Sequence, residues 1–194
     1  MKKILSVLFA AAMLLSLLAG CGAAPAEPVS TETTAPAGPA NALEILTNVW
    51  ALYGENEKFS IYGGNPKENY EDTTWDAPDN YDLADENMAF NLLIPVEQIP
   101  NVDDVASMTH GMMTNNFNSA VFHVTGDVKA FADALYGAIS GNMWICGMPE
   151  RVIVASVGEY VVMAYGVSDP MNSFETHLME AYPSVEVLYS EPLV

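Results

Sequence analysis

The sequence predicts an α+β fold, and three observations carry that expectation. From residue 119 onward, strand-like alternation and helical spacing follow one another as strand, helix, strand, strand, helix, strand. The middle strands are apolar on both faces: Val152 and Val154 oppose Ile153 and Ala155, and Tyr160 and Val162 oppose Val161 and Met163. A sheet with one wet face alternates apolar with polar, so the second face must also be covered. A helical stretch and a mixed segment precede these strands and can supply the cover from within the chain. The order is that of a split β-α-β, ferredoxin-like unit: a βαββαβ antiparallel sheet with two helices on one face, the other face covered by an N-terminal helix and loop segment.

The elements follow from local chemistry. An opening helix spans Asn41 to Tyr53, with Asn41 as N-cap, Glu44 completing a capping box and Gly54 as the stop. Leu43, Leu46, Val49, Trp50 and Tyr53 share its apolar face. Lys58 to Asp85, rich in Gly, Asn, Pro and Asp, reads as long loops with one short strand at Phe59 to Tyr62. Leu92 to Ile94 reads as a brief strand and Val102 to Met113 as a short helix. Ser119 to Val124 is a strand, and Asp127 caps a helix whose Val128, Phe131, Ala132, Leu135 and Ile139 keep helical spacing up to Gly141. Arg151 to Ser156 and Tyr160 to Tyr165 form a hairpin across Gly158 and Glu159. Asp169-Pro170 opens the second helix, with Pro at its favoured first position, and Val185 to Ser190 is the last strand.

The N-terminus carries a different signal. Met1-Lys2-Lys3 precedes an apolar run from Ile4 to Leu18, too short to span a bilayer and shaped like a secretory signal. The tetrad Leu18-Ala19-Gly20-Cys21 resembles the lipobox at which bacterial lipoproteins are cleaved and acylated on Cys21. The domain organisation expected is a signal peptide at 1–20, a lipidated Cys and disordered Ala/Pro/Thr tether at 21–40, and one globular domain at 41–194. Between Gly22 and Ala40 the only branched aliphatic side chain is Val29. Pro25, Pro28, Pro36 and Pro39 stiffen the stretch toward polyproline II, making it a spacer. Two acyl chains on Cys21 suffice for stable anchoring.

Charge narrows the partners. After processing, Lys58, Lys67, Lys129 and Arg151 stand against 25 acidic residues, a formal charge of −21. Nucleic-acid binding, which depends on Lys and Arg neutralising phosphates, is excluded, and lying flat on an anionic bilayer is disfavoured. With Cys21 acylated, Cys146 has no disulfide partner in the chain, and its setting in Trp144-Ile145-Cys146-Gly147-Met148-Pro149 is that of a buried, inert thiol.

Four places can carry chemistry. Met108-Thr109-His110-Gly111-Met112-Met113, with Asn115 and Asn116, then His123, offer thioether and imidazole, the ligand types that soft Cu(I) prefers, to which Cys146 and Met148 can add. Core packing is the competing reading of the methionines, and a hydrogen-bonded sheet histidine that of His123. The stretch from Tyr70 to Asp82 is acidic and aromatic but lacks the spacing of an EF-hand loop. Gly63-Gly64-Asn65-Pro66 is a turn without a phosphate-cradling pattern. A Cys146 nucleophile paired with His110 or His123 is the fourth. No G-x-S-x-G, H-E-x-x-H or S-x-x-K signature is present, and the sequence calls for no cofactor.

The lipobox and tether, Val49-Trp50, Gly63-Gly64, Met112-Met113-Thr114-Asn115-Asn116-Phe117 and Trp144 to Pro149 together resemble small lipoproteins of Gram-positive anaerobes, over most of 41–194. The resemblance implies a lipid-anchored surface domain and transfers no catalytic residue. The expected protein is therefore an extracytoplasmic, membrane-anchored binding or interaction module without catalysis. Membrane lipid is its partner through Cys21, and a protein or small molecule at the cell surface its ligand. The candidate ligand-binding residues are His110, Met112, Met113, Asn115, His123, Trp144 and Cys146. The alternatives are a soft-metal-binding lipoprotein that uses Met, His and Cys, and a thiol-dependent enzyme.

Overall fold

The computed structural model describes residues 38–66, 73–145 and 147–193. The signal, the lipobox with Cys21, nearly all of the tether, Lys67 to Asp72 and Cys146 lie outside the described residues. No helix among the described residues is long and apolar enough to cross a membrane.

Helix α1 (Ala42–Ala51) begins as its cap dictates: Asn41 Oδ1 accepts from Glu44 N at 2.8 Å. The returning arm reaches one residue further than in a capping box, with Glu44 Oε2 accepting from Ala40 N at 2.9 Å. Then come β1 (Ile61–Gly63), β2 (Thr74–Trp75), β3 (Asp79–Asn80), the one-turn α2 (Met88–Asn91) and a 3₁₀ stretch at Val96–Asn101. Next are β4 (Val102–His110) and β5 (Phe117–Val124). The remainder is α3 (Val128–Ser140), β6 (Arg151–Val157), β7 (Tyr160–Gly166), α4 (Ser168–Ala181) and β8 (Glu186–Pro192).

The eight strands among the described residues form one antiparallel sheet in the order β2-β1-β4-β5-β7-β6-β8, with β3 beside β4. The α+β class stands. The ferredoxin-like detail does not describe this sheet, and the source of the difference is β4. Residues 102–110 were expected as helix because Val102, Val105 and Ala106 fit i, i+3, i+4 spacing. They form a central strand buried on both faces, Val105 in one core and Ala106 and Met108 in the other, which erases the alternation that marks a strand. Occupying the open edge of β5, β4 leaves the last strand to pair with β6 instead.

That placement also moves a helix. The crossovers β5-α3-β6 and β7-α4-β8 each step two strands in the same direction, but β5 and β7 run antiparallel. Right-handed crossovers therefore put α3 and α4 on opposite faces, not on the one face expected. α1 and α4 cover one face: Ile45, Leu46, Val49, Phe174 and Leu178 pack with Phe117, Val121, Ile153 and Val162. α3 covers the other: Phe131, Leu135 and Ile139 pack with Phe122, Val154, Val161 and Met163, joined by Tyr81, Met88, Leu92 and Ile94 from the segment before β4. Both faces are thus covered within the chain. Leu92–Ile94 is not a strand. Leu92 caps α2 by donating to Met88 O at 2.9 Å, and Leu93 takes φ 52°.

Candidate binding cleft

The cleft forms at one end of the sheet, on the α3 face. The register places Tyr62, Thr109, Asn118 and Tyr165 directly opposite one another across β1, β4, β5 and β7. Residues in one such row point to one side, and three of the four, Tyr62, Asn118 and Tyr165, line the floor of the cleft. One wall is the α2 segment with Phe90, Asn91 and Leu93; the other is the stretch after α3 with Met143, Trp144 and Ile145. The loop from Gly111 to Asn115 closes the end, and the enclosed volume is about 470 Å³. That lies within the range of small-molecule sites.

Five of the seven candidate ligand-binding residues, His110, Met112, Met113, Asn115 and Trp144, line this cleft. His110 Nδ1 accepts from Met112 N at 3.1 Å and Met113 N at 3.3 Å, which folds the loop back over the strand end. Its ring stacks on Phe59 with centroids 5.5 Å apart, and burial holds its pKa below the ordinary imidazole value. Asn115 Nδ2 donates to the carbonyls of Ile145 at 3.0 Å and Gly147 at 2.7 Å, joining the two rim loops. Trp144 packs against Tyr165 with centroids 4.9 Å apart.

His123 lies elsewhere. It pairs across the ladder with Asp104, six residues before His110 on β4, hence about 20 Å from the cleft end of the strand. There it meets Asp103 and, at 3.9 Å, Glu159. His110 and His123 therefore share no site. This removes the reading in which both ligate one metal. Cys146 lies outside the described residues, between two residues of the rim. Among the described residues no group of three or more His, Cys, Asp or Glu is placed to hold a metal.

Sequence reasoning missed Tyr62, Phe90, Asn91, Asn118 and Tyr165. For Asn118 and Thr109 a signal existed, since each is a polar residue at the end of an apolar strand and each is buried. A hydrogen-bond chain runs behind the wall. Tyr81 Oη donates to Asp85 Oδ2 at 2.6 Å, Asn91 Nδ2 donates to Tyr81 Oη at 2.9 Å, and Asn118 Nδ2 reaches Asn91 O at 3.4 Å. Burial opposes the charge of Asp85, but donors from Tyr81, Asn87 and Asn65 outweigh it and hold its carboxyl below the usual range.

The rim is unusually apolar for a protein this acidic. Met112 is 87 % exposed, Met143 84 %, Phe90 81 % and Ile145 75 %. Among the described residues no Asp, Glu, Lys or Arg lines the cleft, although the chain holds 25 acidic residues.

The cleft opens far from the start of the domain. Ala42 N, at the head of α1, donates to Asp104 Oδ2 at 2.7 Å, the same strand end that holds His123. The chain before α1 therefore joins the domain at the end of β4 remote from His110. Compared with family models, with curated proteins and with solved structures, the chain matches none.

Proposed function

We propose that this protein is a membrane-tethered, extracytoplasmic binding module whose cleft takes a small molecule with an apolar body and a few hydrogen-bonding groups. The observation that carries this reading is the convergence of three separate segments, 90–93, 110–118 and 142–145, on one uncharged concavity ringed by exposed Phe, Met and Ile. Contiguous apolar surface of this kind marks interaction sites, and thioethers adapt to varied partners. Acylation at Cys21 would anchor the chain, and residues 38–41 lead into the domain at the strand end remote from the cleft. Catalysis is disfavoured because the cleft's single titratable imidazole already accepts two main-chain hydrogen bonds at Nδ1 and, among the described residues, faces no carboxylate partner of its own.

The test is a thermal-shift screen of a small-molecule library on the full-length chain, repeated with Trp144→Ala. Binding at the cleft is expected to give hits that Trp144→Ala removes. Hits that are all indifferent to that change, or turnover of a hydrolase substrate panel, would overturn the reading.

A further inference from the structure

We infer that the ligand of this cleft is a small organic cation, an ammonium group on an apolar body, rather than a neutral or anionic molecule. The inference rests on the cleft being a binding site and specifies its chemistry. Asn118 is only 3 % exposed and lines the floor, and among the described residues its Oδ1 makes no hydrogen bond of ordinary geometry, Tyr165 being the side chain that interacts with its amide. A buried acceptor left open in this way calls for a donor. Its amide nitrogen is committed to Asn91 O, so the free atom is the oxygen.

The wall beside it is polarised in the same sense. Asn91 gives its amide hydrogen to Tyr81, whose hydroxyl in turn donates to the carboxylate of Asp85. Hydrogen bonds in series polarise one another, so negative charge is drawn toward the amide oxygen of Asn91. The lining thus combines the amides of Asn91 and Asn118 with the rings of Phe90, Trp144 and Tyr165, the two kinds of group that accept an ammonium group without a formal counter-charge. His110, kept neutral by its burial, adds no opposing charge. At long range the processed chain, at −21, attracts cations and repels anions. An enclosed volume of about 470 Å³ suits a free small molecule better than a polypeptide, which would need an extended groove.

The experiment is equilibrium dialysis on the full-length lipidated chain in phosphatidylcholine nanodiscs, with empty nanodiscs as the blank. The probes are phenethylamine, hexylamine and cyclohexylmethylamine, each beside its matched alcohol and carboxylate, with trilysine as a peptide arm. At least one amine is expected to bind tenfold or more tightly than its alcohol, with no binding of the carboxylates. Asn118→Leu should remove that preference. Phe90→Ala, at an exposed position that cannot unfold the domain, should weaken amine binding several-fold. Alcohols that bind as well as amines would overturn the cationic assignment while leaving the binding cleft in place. Carboxylate binding, trilysine binding without amine binding, or no amine binding at all would also overturn it. None of these outcomes reaches the binding reading itself, which falls with a screen that lacks Trp144-dependent hits or with turnover of the hydrolase panel.

Discussion

Two glycines receive the same substitution with opposite outcomes, and the difference follows from what a methyl group would meet. Gly166 ends β7, opposite Phe117 in the ladder. A Cβ there would lie 2.3 Å from Asn116 O and 2.9 Å from both Asn116 C and Phe117 Cα. All three are backbone atoms, so no side chain can rotate away. Restoring a C···O separation of about 3.3 Å requires the strand start to move by about 1 Å. Overpacking of this kind costs about 1–3 kcal/mol. The shift also strains the bond from Val167 N to Asn116 O, 3.0 Å long, worth about 1 kcal/mol. Gly166→Ala should therefore destabilise by about 2–4 kcal/mol. Gly137 sits in the exposed middle of α3 with nothing within 4 Å of the new atom. Gly137→Ala should stabilise by about 0.5–1 kcal/mol, because alanine gives up less chain entropy in a helix. Urea denaturation of the two variants, with unchanged m-values, should place them about 2.5–5 kcal/mol apart. A Gly166→Ala variant within about 0.5 kcal/mol of the parent would refute the packing argument.

Three further outcomes are expected. Asn115→Ala removes both bonds between the rim loops and should raise amide exchange in 111–116 and 142–149 while lowering global stability by no more than about 1 kcal/mol; unchanged exchange there would show that the amide does not join them. Arg151 donates to Glu175 at 2.8 Å and Ser190 at 2.8 Å, so Arg151→Met should cost about 2 kcal/mol in urea melts, and a cycle with Glu175→Gln should show coupling above about 0.5 kcal/mol. His110 has a folded pKa below the ordinary 6.5, so below that pH the unfolded chain binds the proton first and stability falls as pH drops from 7 toward 5. His110→Gln should flatten part of that slope, and an unaltered slope would count against burial of the ring.

What the sequence disclosed depended on how many faces of each element are buried. α1 and α3 have one wet face, so spacing and the caps at Asn41 and Asp127 located them within a few residues. The β6–β7 hairpin was legible from Gly158, which takes φ 62° in the turn. β4 was not, because burial on both sides makes a strand and a buried helix alike in composition, and the pairing of the last strand and the split of α3 and α4 between faces descend from that one segment. The site followed the same logic. His110, Met112, Met113, Asn115 and Trp144 drew notice as unusual residue types in loops, and loops form its rim. Asn118 and Tyr165 belong to a floor created by strand register, which long-range pairing decides and local spacing does not encode. His123 drew notice for the same reason as His110, but six residues of strand separate the two ends.

The bridge made by Asn115 ends on main-chain carbonyls of residues 145 and 147, not on their side chains. The shape of the rim is therefore insulated from the identity of the residues it displays. Met143 and Ile145 can be exchanged for other side chains while the loop keeps its path. Selectivity for different ligands can then drift within one unchanged frame, and a library randomised at these two positions, with Asn115 held, is the natural starting point for redirecting the cleft.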